Sequence, residues 1–290
     1  MKRSQISSYD KKTLSVLEWY VADPRGVVQL VHSKSEHAAR FDAFAKYLNT
    51  RGYLVYSFDL RGHGETDKHS LGFGYGDVFL DSIKDMAFLA KQYKERYPKT
   101  GHAVLGRGYG AFLTLAFTER YPQYTDASIL CGVLRTDFLL VNRVICTLSH
   151  KLRGENFKSK IVNYILNMGS LDGLNLSGEK EVVKTYNEDK SCGFDCSNGF
   201  YSSYLKGAMG AYKKEEMEKI SYKMPIMIMS GASDKLGGKG RALKKLEKSF
   251  SDIGVKADVS LYEGALHDLL SDCSREKACS DVAGFLDEKI

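Results

Sequence analysis

The sequence predicts an α/β class: a mostly parallel central sheet covered by helices on both faces, with a helical insertion late in the chain. Three observations predict it. Short runs rich in β-branched residues alternate with longer amphipathic runs. The short runs are apolar almost throughout, as strands buried on both faces must be. The alternation also stops over residues 134–217 and then resumes.

The elements follow in order. Residues 12–21, Lys-Thr-Leu-Ser-Val-Leu-Glu-Trp-Tyr-Val, fit one or two leading strands, and Gly26 to His32 forms the next. Glu36 to Asn49 places Ala38, Phe41, Phe44, Ala45 and Leu48 at helical spacing. A strand over 53–58 precedes a helix over 79–97, which Pro98 ends. A third strand, 103–105, leads into a helix over 109–120, and 127–131 is a fourth strand. After the gap come a strand over 225–230, a helix over 241–253, a strand over 257–262 and a closing helix over 274–289. Within the gap, three stripes suggest helices: Val141, Val144, Ile145 and Leu148; then Ile161, Tyr164, Ile165 and Met168; then Tyr201 to Tyr212. Residues 1–133 and 218–290 therefore form one core, and 134–217 a helical lid over the C-terminal ends of the strands, where open parallel sheets place their sites.

Composition narrows the function classes. A chain of 290 residues with 43% hydrophobic and 27% charged residues can bury a full core. Its net charge of +6 comes without an Arg/Lys run interleaved with aromatics, which argues against a nucleic-acid surface. The start, Met-Lys-Arg-Ser-Gln, leads into no apolar segment, and no run is long enough for a transmembrane helix. Six scattered cysteines read as free thiols in a reducing compartment, which points to the cytoplasm. Cys192 and Cys196 have no completing ligand pair nearby in sequence, so neither a metal nor a cofactor is expected.

The segment that carries chemistry is Val104-Leu-Gly-Arg-Gly-Tyr-Gly-Ala111, at a strand-to-helix joint. Its glycines are spaced Gly-x-Gly-x-Gly and follow a third or later strand, which does not match a dinucleotide turn. They do match a sharp elbow whose middle residue sits in strained backbone geometry, here Gly108.

From about Asp23 onward the chain resembles the monoacylglycerol lipase and lysophospholipase branch of the α/β-hydrolases, also called serine aminopeptidase-like. Residues 28–37, Val-Gln-Leu-Val-His-Ser-Lys-Ser-Glu-His, resemble that family's strand followed by His-Gly-x-x-Glu-His, with Ser33 where the family has glycine. Phe58-Asp-Leu-Arg-Gly-His-Gly64 matches the family's Asp-x-Arg-Gly-His-Gly turn. Gly106-Arg107-Gly108-Tyr109-Gly110 resembles Gly-His-Ser-x-Gly, with Arg107 for the histidine and Gly108 for the nucleophilic serine. Asp234, past a strand, stands at the triad acid, and Leu261-Tyr-Glu-Gly-Ala-Leu-His267 resembles the segment of the catalytic histidine.

The resemblance implies Asp234 and His267 as acid and base, Gly108 as a vacant nucleophile position, and Lys34 and Tyr109 as backbone donors to an oxyanion. His32, Ser33 and Arg107 would lie at the pocket and elbow. His32 reads as a buried hydrogen-bonding residue, and Asp59, Arg61 and His63 read as turn architecture. Arg107 must be paired, either with a lid carboxylate or with an anionic ligand. Cys131 reads as a buried structural thiol, and a Tyr109 phenol as a poor nucleophile. The expected function is a pseudohydrolase that binds a small acyl, lipid-like or anionic ligand. The alternative is a carboxylic ester hydrolase that is weakly active or carries an introduced Ser→Gly change at 108. A protein partner is left open.

Overall fold

A computed structural model describes residues 1–167, 173 and 175–290. Eight strands form one sheet in the order β1-β2-β4-β3-β5-β6-β7-β8. The strands are β1 (Lys2–Ser7), β2 (Thr13–Trp19), β3 (Gly26–Val31), β4 (Tyr53–Phe58), β5 (Gly101–Arg107), β6 (Ala127–Cys131), β7 (Ile226–Gly231) and β8 (Ala257–Tyr262). β1 pairs antiparallel with β2, and β2 with β4. Every other pairing is parallel. Strands β3, β4, β6 and β7 are buried at every position, because helices cover both faces and no side chain meets water. β8, at the edge, is only partly buried.

One face carries α2 (Val78–Arg96), α3 (Tyr109–Arg120) and α9 (Arg241–Asp252). The other carries α1 (Asp42–Thr50) and α10 (Arg275–Lys289). Strand order reverses direction around β3, which lies between β4 and β5. The crevice at that switch point is where a parallel sheet offers its strand ends to a ligand.

Four departures from the sequence expectation have physical causes. β1 forms from residues 2–7, which carry no apolar run; as an edge strand it needs pairing more than burial. The helix expected from Glu36 begins at Asp42, preceded by a 3₁₀ turn over Ala38–Phe41, because the side chain of Glu36 and the backbone around it are committed to loop contacts. Between β6 and β7 lie α4 (Leu139–Arg153), α5 (Lys160–Leu166), α6 (Lys180–Glu188), α7 (Asn198–Ala211) and α8 (Lys214–Met217), with no strand among the described residues. Of these, α6 and α8 had no sequence signal. The stripe of Val141, Val144 and Leu148 on α4 faces outward, as do Ile161 and Tyr164 on α5; periodicity reported the helices but not which side they bury. Met168 of the second stripe lies outside the described residues. Only α7 is sunk into the core, against α2 and α3, where Phe79 N–H donates to Ser203 Oγ at 2.9 Å.

Candidate functional site

Four loops at the C-terminal ends of β3, β5, β7 and β8 build the site. Gly108 forms the elbow between β5 and α3 with φ +57° and ψ −112°, a conformation L side chains rarely adopt. Its N–H donates to Cys131 O at 3.0 Å. Gly106 and Gly110 allow the close packing that the elbow needs: a Cβ on either would collide with backbone oxygens, Gly110 O in the first case and Val31 O in the second.

Asp234 and His267, the expected acid and base, lie side by side. His267 Nδ1 stands 2.9 Å from Asp234 Oδ2, both residues almost fully buried. A carboxylate can only accept, so Nδ1 donates the proton between them, and Nε2 is the nitrogen left to face the elbow. Asp234 Oδ1 accepts the Leu236 N–H at 2.8 Å, which fixes the carboxylate within its own loop. Gly132, past β6, lies against the His267 ring: a Cβ there would stand 3.1 Å from Cε1 and 2.8 Å from the His267 carbonyl oxygen. His267 Nε2 points at the elbow, 2.8 Å from where a Cβ on Gly108 would stand.

Another oxygen reaches the same place. Ser33 Oγ also lies under 3.0 Å from that Cβ position, so Ser33 Oγ and His267 Nε2 are no more than twice that distance apart. The N–H of Tyr109 donates to Ser33 Oγ at 3.2 Å. Ser33 is itself held on three sides. Its N–H donates to Glu36 Oε1 at 2.6 Å, and its carbonyl lies 2.7 Å from His32 Nδ1. Farther along the loop, Ser35 (φ +56°) donates its N–H to His63 Nε2 at 3.1 Å. Both histidines are buried, and burial lowers their pKa, that of His63 to about 3, so they stay neutral hydrogen-bonding struts. His32 Nε2 accepts the Leu60 N–H at 2.9 Å. The turn residues behave as architecture, with Arg61 Nε and NH2 gripping Asp85 at 2.7 and 2.9 Å and Asp59 accepting the Ala38 and Glu65 N–H groups.

Sequence reasoning placed Ser33 at the pocket but missed its hydroxyl as a group of the elbow. The signal was present: a hydroxyl stands on the β3 loop where the resemblance expects none, while the elbow lacks its own.

Arg107 corrects an expectation. Among the described residues it pairs with no lid carboxylate; two core carboxylates enclose its guanidinium instead. Its NH2 lies 2.6 Å from Glu36 Oε2, its NH1 bonds Asp268, and its guanidinium lies 5.0 Å from the Phe41 ring centroid. Arg40 completes a ring, with Nε 2.9 Å from Glu36 and NH2 2.8 Å from Asp268. Burial raises the Glu36 pKa, but Arg107 and Arg40 outweigh it and hold the carboxyl well below the usual range. Three members of this ring neighbour a group of the site: Arg107 precedes Gly108, Asp268 follows His267, and Glu36 holds Ser33.

A narrow cleft with about 60 Å³ of free room, part of it open to solvent, runs from Ser33 and His267 toward the β6–β7 insertion. Lys34 lines it, with its Nζ bonded to Asn167 Oδ1, and burial lowers the ammonium's pKa. Cys131 and the Tyr109 side chain are buried, and desolvation pushes both groups well above their ordinary values, so neither is a ready nucleophile. All six cysteines are free. Cys192 meets His37 and Asp189, not Cys196, with ligand atoms within 4.8 Å of one another. Burial pushes the Cys192 thiol up to about 12. No helix among the described residues is long and apolar enough to cross a membrane.

Comparison with known proteins agrees with this architecture. The chain is 24% identical over 265 residues to the monoacylglycerol lipase of Mycolicibacterium smegmatis, covering 91% of this chain and 89% of that one. It is 22% identical over 281 residues to phospholipase YtpA of Bacillus subtilis, covering 94% and 99%. Among solved structures, a lipase in its open form superposes with a TM-score of 0.86 at 21% identity, covering 99% of this chain and 98% of that one. A soluble variant of monoglyceride lipase from Saccharomyces cerevisiae superposes with a TM-score of 0.79 at 20% identity, covering 99% and 94%. The family described as serine aminopeptidase, S33 (a class label, unrelated to Ser33) matches residues 22–274, so the chain belongs to that family of α/β-hydrolases, within its lipase- and esterase-like range.

Proposed function

We propose that the cleft binds a monoacyl amphiphile, such as a monoacylglycerol, a lysophospholipid or a fatty acid, and that residue 108 takes no covalent part. At the elbow, the chain is a pseudohydrolase. One observation carries this reading. The buried Asp234–His267 pair faces an elbow without a side chain, at the polar end of a cleft also lined by Leu134, Leu166, Leu176 and Leu236. Apolar walls with a few convergent polar groups suit an acyl chain with a polar head. The Lys34 and Tyr109 backbone N–H groups are the oxyanion donors in this reading. Residues 134–217 act as the lid over the core of 1–133 and 218–290, and the outward apolar stripe on α4 supports a lid that meets an amphiphile surface. The free thiols support the cytoplasm as its compartment.

Ether analogues that cannot be hydrolysed test the binding. With 1-O-dodecylglycerol at about 100 times its Kd, the folded state gains about 2.7 kcal/mol, which raises Tm by roughly 4 °C. A flat response across ether glycerols, ether lysophospholipids and laurate overturns the reading. A second reading, ester hydrolysis with a hydroxyl from outside the elbow, is favoured by the placement of Ser33 beside the His267 ring.

A further inference from the structure

We infer that Ser33 is the nucleophile of this site, an acyl-accepting hydroxyl carried on the β3 loop in place of the elbow. The inference rests on the proposal that the cleft takes an acyl ester, and it concerns which atom attacks that ester.

Placement comes first. Ser33 Oγ and His267 Nε2 converge on the same point above Gly108, and both residues line the cleft. Ser33 is partly exposed there, whereas Gly108 is buried. The absent side chain at 108 is what makes room: a Cβ would stand inside contact distance of the Ser33 hydroxyl. At rest, Oγ accepts from the Tyr109 N–H and is not bonded to His267. Catalytic hydrogen bonds are often long in unliganded sites and tighten when substrate arrives.

Positioning comes second. Glu36, His32 and His63 fix the loop from three sides. Ser35, two residues on, holds a positive φ that a non-glycine residue keeps only where its surroundings impose it. Glu36 and Arg107 tie the same loop to the elbow strand. Such a loop is held, and a held hydroxyl is what nucleophilic attack requires.

Competitors are worse placed. The Ser35 hydroxyl donates to Phe194 O at 2.8 Å, and Cys131 and Cys196 are fully buried. The Lys34 ammonium is bonded to Asn167.

The chemistry balances with water as the one co-reactant. Ser33 Oγ attacks the ester carbonyl carbon, its proton passes to His267 Nε2, and the carbonyl π pair moves to the oxygen. The Tyr109 N–H, released from Oγ, is available to that oxyanion. The intermediate collapses, the C–O bond to the alcohol breaks, and the alcohol leaves with the proton from His267. Water then attacks the acyl-Ser33 ester and gives its proton to His267. The C–Oγ bond breaks, Ser33 recovers the proton, and the carboxylic acid departs. Asp234 holds the imidazolium formed in each half.

The test labels the full-length chain with an alkyl fluorophosphonate and maps the adduct by peptide mass spectrometry. Mapping runs beside p-nitrophenyl butyrate turnover and the 1-O-dodecylglycerol Tm shift. The expected result is an adduct on Ser33, absent in Ser33→Ala, with turnover lowered about 10²–10⁴-fold in His267→Gln. Ser33→Cys gains a thiol that iodoacetamide modifies and that 1-O-dodecylglycerol protects. A native chain that takes no phosphonate on Ser33, or takes it elsewhere, overturns the assignment and leaves the binding reading standing if the ether still raises Tm. Loss of the ether shift in the native chain overturns the binding reading, whatever the phosphonate does.

Discussion

The N–H of Tyr109 donates to the Ser33 hydroxyl at 3.2 Å, across the middle position of the elbow, Gly108, which has no side chain. A backbone donor suited to a developing oxyanion thus rests on the chain's own oxygen. That oxygen occupies space that a residue-108 side chain would need. Positions 33 and 108 are consequently coupled, and substitutions at the two are not additive.

The coupling sets the first prediction. Gly108→Ser alone puts a Cβ against Ser33 Oγ and 2.8 Å from His267 Nε2 at φ +57°, so it costs about 1–3 kcal/mol of stability. Adding Ser33→Gly removes the first collision. The double variant therefore melts higher than Gly108→Ser and hydrolyses p-nitrophenyl butyrate faster than it. Equal stability and equal rates in the two would show that Ser33 does not contest the space.

Arg107 sets the second. Arg107→Met leaves Glu36 and Asp268 buried with only Arg40 between them, which costs about 3–5 kcal/mol. Urea unfolding measures it. Arg107→Lys does not restore the loss, because a point charge cannot bridge two carboxylates as the planar fork does. A loss below about 1 kcal/mol would mean that the ring relaxes around the gap.

Glu119 on α3 gives a pH dependence. It is buried, and desolvation raises its carboxyl from 4.5 to about 9 despite Arg120 at 3.4 Å. Between those values the folded chain holds a proton that the unfolded chain has released. This contribution to stability is full below about pH 4.5 and is lost as pH rises toward 9, by about 1 kcal/mol per pH unit. Glu119→Gln removes that slope. The variant gains on the native chain at pH 8.5 relative to pH 5, as urea midpoints at the two values read out. Parallel curves would refute it.

Lys34 separates ligand classes. Its ammonium lines the cleft, so Lys34→Met weakens laurate by about 1.5–3 kcal/mol while 1-O-dodecylglycerol changes little. Isothermal titration compares the two. Equal losses for both would place the lysine outside the head-group region.

What the sequence made legible was what local pattern controls. β3, β4, β6 and β7 read as strands because cover on both faces demands apolar residues at every position. Gly108, Asp234 and His267 were found because each sits at a turn with a short, specific motif. β1 was missed because an edge strand needs little apolar character. The outward stripe on α4 was unreadable because spacing gives a helix's period but not the neighbour it lacks. Ser33 meeting Gly108, and Arg107 meeting Glu36 and Asp268, depend on how separate strand ends converge, and no window of sequence contains them.

The Arg107–Glu36–Arg40–Asp268 ring has a thermal consequence. Charged groups become cheaper to desolvate on heating, so ionic links hold their strength where many other contacts fade. Loops stapled in this way stay in register as the surface frays. In hydrogen exchange, the amides of Ser33, Gly108 and Asp268 would open with the β-sheet as one cooperative event, leaving α4 and α5 to loosen earlier.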